Sequence, residues 1–393
     1  MSFKETRIGD VLTLQRGFDI TKAEQTDGEI PIVSSSGTSS YHNHWKVAGP
    51  GIVIGRKGTL GTTHFLASNF WPHDTTLWVK DFKGNDPKFL YYFLQTLHLE
   101  NFDTGSSNPT LNRNHVHKIT VRFPALLETQ QKIAAILSAY DDLIANNQRR
   151  ITLLERMAED IYREWFVRLR FPGHEGVPIK KGVPQGWRAV RFVEICSFEK
   201  GKNPSVLFNT PTEGALPYLN VETLENAGIS YAARSRSAIV CSDDDVLMLM
   251  DGARSGFVFR GYAGIVSSTF ALVRTETRLK NIVFEYLKAG KDAIIFNNTG
   301  AAIPHANKEF INRMTMFLPE NDALVKQFNV QYQSVFRQTQ NLAQQNAALT
   351  QTRNALLPRL ISGKLAVDAL DIRFPPGTIA QLDKKSVMQC PHT

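Results

Sequence analysis

The sequence has few cysteines and no long apolar run. Its 393 residues include three cysteines, Cys196, Cys241 and Cys390, which are odd in number and far apart. This usage argues against a disulfide framework and a zinc site, and it is typical of a cytosolic protein. No apolar stretch of about 18 residues could cross a membrane, and the N-terminal segment lacks the apolar core of a signal peptide. We therefore expect a cytoplasmic protein with no membrane partner.

The motifs of common catalytic sites are also missing. Gly49-Pro50-Gly51 followed by Gly55 misses the dinucleotide-binding spacing. There is no Walker loop, no HExxH, and no Asn-Pro-Pro-Tyr-like motif of an amino-methyltransferase. Four histidines of one region fit no metal-ligand spacing; they are His42, His44, His64 and His73. We therefore predict no catalytic residue, no metal and no cofactor in this chain.

The charge is weakly basic and evenly spread. The chain has 45 Lys and Arg against 37 Asp and Glu, a net charge of +8, without a basic tail or a polybasic tract. This balance weakly suggests an anionic partner. Any nucleic-acid surface would have to be built by folding.

A long amphipathic helix pattern follows Pro124. No proline or glycine occurs from position 125 to position 171. Apolar residues recur there with the alternating spacing of three and four that makes a coiled-coil seam. Roughly 40 helical residues would form a rod of about 60 Å, which holds other parts of a protein apart. The predicted seam comprises Leu137, Tyr140, Ile144, Asn147, Ile151, Leu154 and Ile161.

The same pattern recurs about 195 residues later, after Pro319. Each seam contains one asparagine, which costs stability but can fix the register of a coiled coil. The alternative is that both asparagines lie at a frayed, wet edge. We expect the two helices to pack antiparallel, because a whole domain must fit in each connection. The second seam comprises Tyr332, Val335, Leu342, Asn346, Leu349 and Leu356.

The segments before the two helices also correspond. Leu216-Pro217-Tyr218-Leu219 matches Ile30-Pro31-Ile32-Val33, and residues 299–307 match residues 104–112. The sequence thus predicts an α+β fold with two similar strand-rich domains, separated by a pair of long antiparallel helices that form a coiled coil. The plan is an internal pseudo-two-fold duplication. The predicted segments are a first domain at 1–123, a first helix at 124–170, a linker at 171–186, a second domain at 187–318, a second helix at 319–365 and a C-terminal tail at 366–393.

The helices also carry the residues of a known family. Glu128-Thr129-Gln130-Gln131-Lys132-Ile133-Ala134, with Asp141-Asp142-Leu143-Ile144 after it, resembles the central conserved helix of the specificity subunits of Type I restriction–modification systems. Leu356-Leu357-Pro358-Arg359-Leu360 resembles the end of their second conserved helix. Pro184-Gln185-Gly186-Trp187 resembles the usual start of a target-recognition domain, a start that the first domain lacks.

This resemblance implies a DNA-reading protein without chemistry of its own. Each domain would read one half-site of an asymmetric bipartite target in double-stranded DNA, and the helices would set the spacing. Two modification subunits would bind S-adenosylmethionine and flip the target adenine out of the duplex. Restriction subunits would then join the complex. No cofactor is expected in this chain itself.

The residues that we expect at DNA are polar loop residues at repeated positions. Arginine and lysine suit guanine edges and phosphates, asparagine suits adenine, and hydroxyl groups suit either. The candidates of the first domain are Ser35, Ser36, Arg56, Lys57, Thr59, Ser106, Ser107, Asn108 and Arg113. Those of the second domain are Lys200, Lys202, Asn220, Arg254, Ser255, Arg260, Ala301, His305 and Asn307.

Two other functions are compatible with parts of this pattern. The chain could be a structural scaffold whose duplicated domains bind protein, and a DNA affinity that falls steeply with salt would count against that reading. It could also be a self-contained nuclease or methyltransferase, against which the missing motifs argue.

Overall fold

The computed structural model describes residues 2–102, 110–225 and 228–372. The chain forms two compact units, one made of Met1–Gln148 and Ala343–Thr393 and the other of Arg149–Leu342. Each unit thus contains one strand-rich domain and a part of each long helix. The predicted α+β class with two long helices is confirmed, whereas the predicted domain boundaries remain predictions.

The first strand of the first unit pairs with the strand that directly precedes the first long helix. The elements of this unit are β1 (Phe3–Arg7), α1 (Ile8–Val11), β2 (Thr13–Arg16), β3 (Ile30–Ser34), β4 (Gly37–His42), β5 (Gly51–Gly55), β6 (Thr63–Leu66), β7 (Trp71–Pro72), β8 (Thr76–Asp81), α2 (Pro87–Gln95), α3 (Arg113–Lys118), β9 (Thr120–Pro124) and the long α4 (Leu127–Tyr162). Strand β1 pairs antiparallel with β9, and Phe3 lies opposite Pro124. This pairing fixes the start of the domain beside the start of α4.

Two larger sheets build the rest of the first domain. One sheet has the strand order β2-β8-β5-β6 and the other has the order β4-β3-β7. In the second sheet β3 and β7 run parallel, with Ile32 opposite Trp71. Strand β5 is buried on both faces: Ile52 and Ile54 pack in the core with α2 and α4, while Val53 packs on the other side. This alternation follows from the two-residue period of a strand.

The second unit repeats this plan. Its elements are β10 (Ile179–Lys180), β11 (Val183–Pro184), β12 (Trp187–Arg191), α5 (Phe192–Ile195), β13 (Cys196–Lys200), β14 (Leu207–Phe208), β15 (Ala215–Leu219), α6 (Val221–Leu224), β16 (Tyr231–Ala233), β17 (Val240–Cys241), β18 (Val246–Leu249), β19 (Val258–Arg260), β20 (Gly264–Val266), β21 (Phe270–Thr275), α7 (Lys280–Ala289), α8 (Lys291–Phe296), α9 (Lys308–Arg313), β22 (Thr315–Pro319) and the long α10 (Asp322–Ile361).

The sheets of the second domain show the duplication directly. The order β13-β21-β18-β19 matches β2-β8-β5-β6 strand for strand. Strand β12 pairs with β22, and Trp187 lies opposite Pro319, as Phe3 lies opposite Pro124. Strands β15 and β20 run parallel, as β3 and β7 do. The two domains therefore share a core topology. The sheet that contains the parallel pair differs, because it has three strands in the first domain and five, in the order β14-β16-β15-β20-β17, in the second.

The long helices pair antiparallel in each unit. In the first unit Asp141 of α4 contacts Arg353 of α10, and the Ile144 carbonyl accepts a hydrogen bond from Asn346 at 3.2 Å. The residue number of the α10 partner falls as that of α4 rises, which is the mark of an antiparallel pair. In the second unit Phe166, just after α4, packs its ring 5.0 Å from that of Phe328, near the start of α10. The predicted antiparallel arrangement is confirmed.

The residues predicted to form the seam are all buried or half-buried. Leu137 and Tyr332 are among the most buried of them, and Asn147 is buried as well. Asn346 donates to the α4 backbone, while its carbonyl oxygen is buried without a hydrogen-bond partner. Neither asparagine is exposed.

Both helix ends differ from the sequence expectation. The α-helix of α4 stops at Tyr162 and continues as one π-helical turn, Arg163–Val167, which buries Trp165 and Phe166. Helix α10 runs through Pro358 and ends before Gly363, whose positive φ of 73° suits a residue without a Cβ.

Two further expectations concern cysteines and membranes. Cys196 and Cys241 are buried free thiols, and Cys390 lies outside the described residues. Within the described part of the chain, no helix has both the length and the apolar character needed to cross a membrane.

Candidate nucleic-acid interface

In the first domain, three loops meet at Arg56. The turn after β5 is closed by Gly61, whose N–H donates to the Gly55 carbonyl at 3.0 Å. The Arg56 N–H donates to the carbonyl of Thr75, and the Arg56 carbonyl accepts from Leu111, both at 2.9 Å. The backbone therefore holds the turn after β5 against the loop before β8 and the loop before α3.

Cationic side chains converge on this junction. A cleft of about 350 Å³ is lined by Arg16, Arg56, Leu77, Thr110, Leu111, Asn112 and Arg113. The exposed Lys57 follows Arg56 on the same turn. Asp74 is the neighbouring carboxylate, and it binds Arg16 at 2.7 Å. The cleft is therefore an electropositive site fixed by backbone hydrogen bonds.

The charges of this cleft influence one another. Partial burial, and then the charge of Arg16, lower the pKa of the Arg56 guanidinium. Burial alone would raise the pKa of Asp74, but the hydrogen bond from Arg16 and the charges of His73, Arg16 and Lys57 hold it below its usual range. The lowered pKa of Asp74 therefore reflects the cations around it.

A possible metal site lies at the edge of this junction. Asp19, His73 and Asp74 bring potential ligand atoms within 4.8 Å of one another. However, Asp19 is exposed and Asp74 is already paired with Arg16. The trio therefore carries no metal assignment.

The second domain has the same backbone frame with different side chains. The N–H of Met250 donates to Thr269 at 2.8 Å, and its carbonyl accepts from Ala306 at 2.8 Å, so Met250 stands where Arg56 stands. Likewise, the backbone bridge between Asp251 and His305 matches the bridge between Lys57 and Thr110. Asp251 therefore occupies the position of Lys57.

Asp251 is the centre of a compact polar cluster. Its carboxylate lies 2.8 Å from the Lys200 ammonium and 2.7 Å from Nδ1 of His305. Although burial would raise the pKa of Asp251, the hydrogen bonds from Lys200 and His305 lower it. The sequence analysis missed Asp251, because its candidates did not include carboxylates. Its place in the segment that matches the turn after β5 was the signal that could have found it.

Several predicted residues of the first domain are available at the surface. Ser36, Lys57, Thr59 and Arg113 are exposed, and Arg56 is half-buried. Ser35 is different, because it is buried and its hydroxyl donates to the Thr75 carbonyl at 2.6 Å. Ser35 thus braces the loop rather than facing solvent. Ser106, Ser107 and Asn108 lie outside the described residues.

In the second domain, Lys200, Lys202, Ala301 and His305 are exposed. Arg254 forms a two-pronged ion pair with Glu225. Contact of these five residues with DNA stays a prediction.

Three other candidates have structural roles that account for their side chains. Asn220 caps α6 by accepting from the Thr223 N–H at 2.8 Å, and Asn307 caps α9 by accepting from the Phe310 N–H at 3.1 Å. Ser255 is fully buried and accepts from Asn298 at 2.6 Å. These side chains hold the loops in shape.

Arg260 lies at the helices rather than at the loop surface. Its guanidinium donates to Tyr332 at 2.9 Å and to Asn281 at 3.0 Å. It also stacks 4.0 Å from the centre of the Phe284 ring. These contacts make Arg260 a packing residue between the second domain and α10, and its contact with DNA stays a prediction.

Comparisons with known proteins agree with this architecture. Residues 2–156 match the family of the Type I restriction modification DNA specificity domain. The Type I restriction enzyme MjaIX specificity subunit of Methanocaldococcus jannaschii is 25% identical over 304 residues, which cover 72% of this chain and 70% of that protein. The MjaVIII specificity subunit of the same organism is 30% identical over 140 residues, which cover 35% of this chain and 33% of that protein.

A solved structure shares the fold. The crystal structure of the Type I restriction–modification S subunit from M. genitalium matches with a TM-score of 0.60 and 14% identity, over 92% of this chain and 96% of that chain. At this identity the likeness shows the fold alone.

The chain thus combines two duplicated strand-rich domains, a pair of long helices and an electropositive loop junction in the first domain. The resemblance seen in the helices is confirmed: residues 2–156 match the Type I restriction modification DNA specificity domain, and the chain is similar to specificity subunits of Type I restriction enzymes.

Proposed function

We propose that this subunit reads an asymmetric bipartite DNA target, with one half-site for each domain and a spacing set by α4 and α10. The observation that carries this proposal is that equivalent backbone positions of the two domains have different side chains. At the positions fixed by equivalent backbone contacts, Arg56 and Lys57 of the first domain are replaced by Met250 and Asp251 in the second.

These replacements support different base readings. A lysine such as Lys57 donates to the N7 and O6 acceptors of guanine in the major groove, whereas a carboxylate such as Asp251 accepts from the amino group of cytosine. Domains that share a topology but differ in this way would read different half-sites. The target is therefore asymmetric rather than palindromic.

The subunit also assembles the complex in this proposal. Two modification subunits, which carry S-adenosylmethionine, bind the subunit, and restriction subunits complete the assembly in the cytoplasm. Exposed apolar side chains on α4 support partner docking: Leu143, Leu153 and Met157 are each at least half exposed. In this proposal the subunit supplies the sequence specificity, and its partners supply the methyl transfer and the cleavage.

Methylome sequencing tests this function. A cell that expresses the chain with its companion modification subunit is compared with a cell that expresses the modification subunit alone. We expect N6-methyladenine in both halves of one asymmetric bipartite motif, only when the chain is present. A continuous motif, a palindrome, or methylation without the chain would contradict the proposal.

A further inference from the structure

We propose that the cleft of Arg16, Arg56 and Arg113 in the first domain holds one phosphate of the DNA backbone, so that the first domain anchors the duplex while the second lacks this anchor. The inference rests on the proposed function, because it assumes that the chain binds DNA. It assigns Arg56 to the backbone rather than to a base.

The cleft has the shape and the donors of a phosphate site. Its volume of about 350 Å³ can admit a phosphate group with its ester oxygens, and three arginines are among the residues that line it. A guanidinium presents a rigid set of N–H donors that matches phosphate in a two-pronged way. Among the described residues, the Arg56 guanidinium donates one long hydrogen bond of 3.5 Å, to the Asp74 carbonyl. The cleft therefore offers strong, preorganised donors to an anion.

The charge balance of the cleft also favours an anion. Asp74 lies beside Arg16 and Arg56, and its Oδ2 atom is engaged by Arg16 at 2.7 Å. Arg16, Arg56 and Arg113 bring three like charges to one cleft, and like charges at close range repel one another. A phosphate in the cleft would relieve that repulsion, because it brings the missing negative charge.

Arg56 and Lys57 differ in burial, and this difference gives them different roles. Arg56 is half-buried at a junction of three loops, and its backbone is bonded on both sides. Lys57, one residue on, is exposed. A fixed, recessed guanidinium suits a contact that positions the duplex, whereas the exposed Lys57 can reach a base edge.

The second domain has lost this arrangement at its equivalent positions. Met250 replaces Arg56, and Lys200 replaces Arg16; Lys200 pairs with Asp251 at 2.8 Å, as Arg16 pairs with Asp74. Lys308 follows the Asn307 cap as Arg113 follows Asn112. Among the described residues of this junction, the second domain keeps no trio of guanidinium groups.

The experiment replaces one backbone phosphate at a time. The full-length chain, assembled with its modification subunits, is titrated with duplexes of the target in which single phosphates are neutral methylphosphonates. We expect one position in the first half-site where neutralisation weakens wild-type binding by about tenfold, as for one charge-assisted contact. The Arg56→Gln complex should bind about tenfold more weakly than wild type and lose nothing further at that position.

Matched variants and duplexes complete the test. Lys200→Gln should keep the full wild-type sensitivity at that phosphate, and Arg56→Lys should keep part of it. Arg56→Gln should weaken target and altered duplexes by the same factor and reduce the salt slope by about one. Thermal unfolding of each variant confirms that it is folded.

Three outcomes would overturn the inference. One is equal sensitivity of wild type and Arg56→Gln at every phosphate. Another is a loss with Arg56→Gln only on the target duplex, which would make Arg56 a base reader. The third is unchanged affinity of the variant. If the wild-type complex does not distinguish target from altered duplexes, the proposed function itself fails, whatever the phosphate scan shows.

Discussion

Asp141 of α4 and Arg353 of α10 form an ion pair of 2.5 Å in which each side chain is only about a quarter exposed, at 26% and 28%. The same carboxylate accepts a hydrogen bond from the Tyr92 hydroxyl at 2.5 Å. Asp141 therefore ties three elements of the first unit together: the domain helix α2 and the two long helices.

Breaking this ion pair should destabilise the first unit. Arg353→Met keeps much of the side-chain volume but leaves the partly buried Asp141 without its cation, and we expect a loss of about 2 kcal/mol in the free energy of unfolding. Urea unfolding measures this loss. Arg313→Met is the matched control, because the Arg313–Glu309 pair is more than 80% exposed and should contribute less than about 0.5 kcal/mol. Equal effects of the two variants would show that the buried pair contributes nothing special.

Glu285 should make the second unit sensitive to pH. This residue is 2% exposed, and it accepts from the Tyr332 hydroxyl at 2.7 Å. Burial raises the pKa of Glu285 above its ordinary value of 4.5, despite the favourable charges of Lys288 and Arg260. A raised carboxyl pKa means that the folded state prefers the neutral acid, so this residue reduces stability as the pH rises above about 4.5.

The variant Glu285→Gln tests this sign. Glutamine keeps an acceptor for Tyr332 but cannot ionise. We expect its melting temperature to match that of wild type near pH 4 and to exceed it increasingly toward pH 8. Glu309→Gln, at an 85% exposed side chain, should show no such trend. A constant difference between Glu285→Gln and wild type over this range would contradict the assigned pKa direction.

Gly17 and Gly201 occupy equivalent positions in the two domains, and we expect that neither tolerates a side chain. A Cβ atom on Gly17 would lie 2.1 Å from the carbonyl oxygen of His73, and one on Gly201 would lie 2.2 Å from that of Ser267. Backbone must shift to admit either atom, so Gly17→Ala and Gly201→Ala should each destabilise the protein by about 2–3 kcal/mol. Gly176→Ala, with open space around its Cβ, should be nearly neutral. Melting temperatures check these values, and a tolerated Gly17→Ala would refute this close approach.

The sequence predicted the helices well because their signal is local and periodic. The seam from Leu137 to Leu356 depends on a heptad pattern that each helix carries by itself, and the antiparallel packing followed from the length of the connections. The π-helical turn after Tyr162 was missed, since it is determined by how Trp165 and Phe166 pack in the second unit rather than by their spacing.

The site was harder to predict because residue type does not reveal burial. Ser35 and Ser255 look like surface hydroxyls in sequence, but tertiary contacts enclose both. Arg260 looks like a basic loop residue, but aromatic rings of α7 and α10 surround it. Asp251 was missed because residues were chosen by type, although its position in the repeat corresponds to that of Lys57.

The central claim is that each domain reads its own half-site, and a domain replacement tests it most directly. Residues 187–319 are replaced by a second copy of residues 3–124, which have the same terminal strand pairing. The methylome is then sequenced in cells that also express the modification subunit, after co-purification confirms that the complex forms. Because the two halves are related by a pseudo-two-fold duplication, we predict that the asymmetric motif becomes a palindrome in which the first half-site appears once on each strand. Retention of the original asymmetric motif would contradict the account.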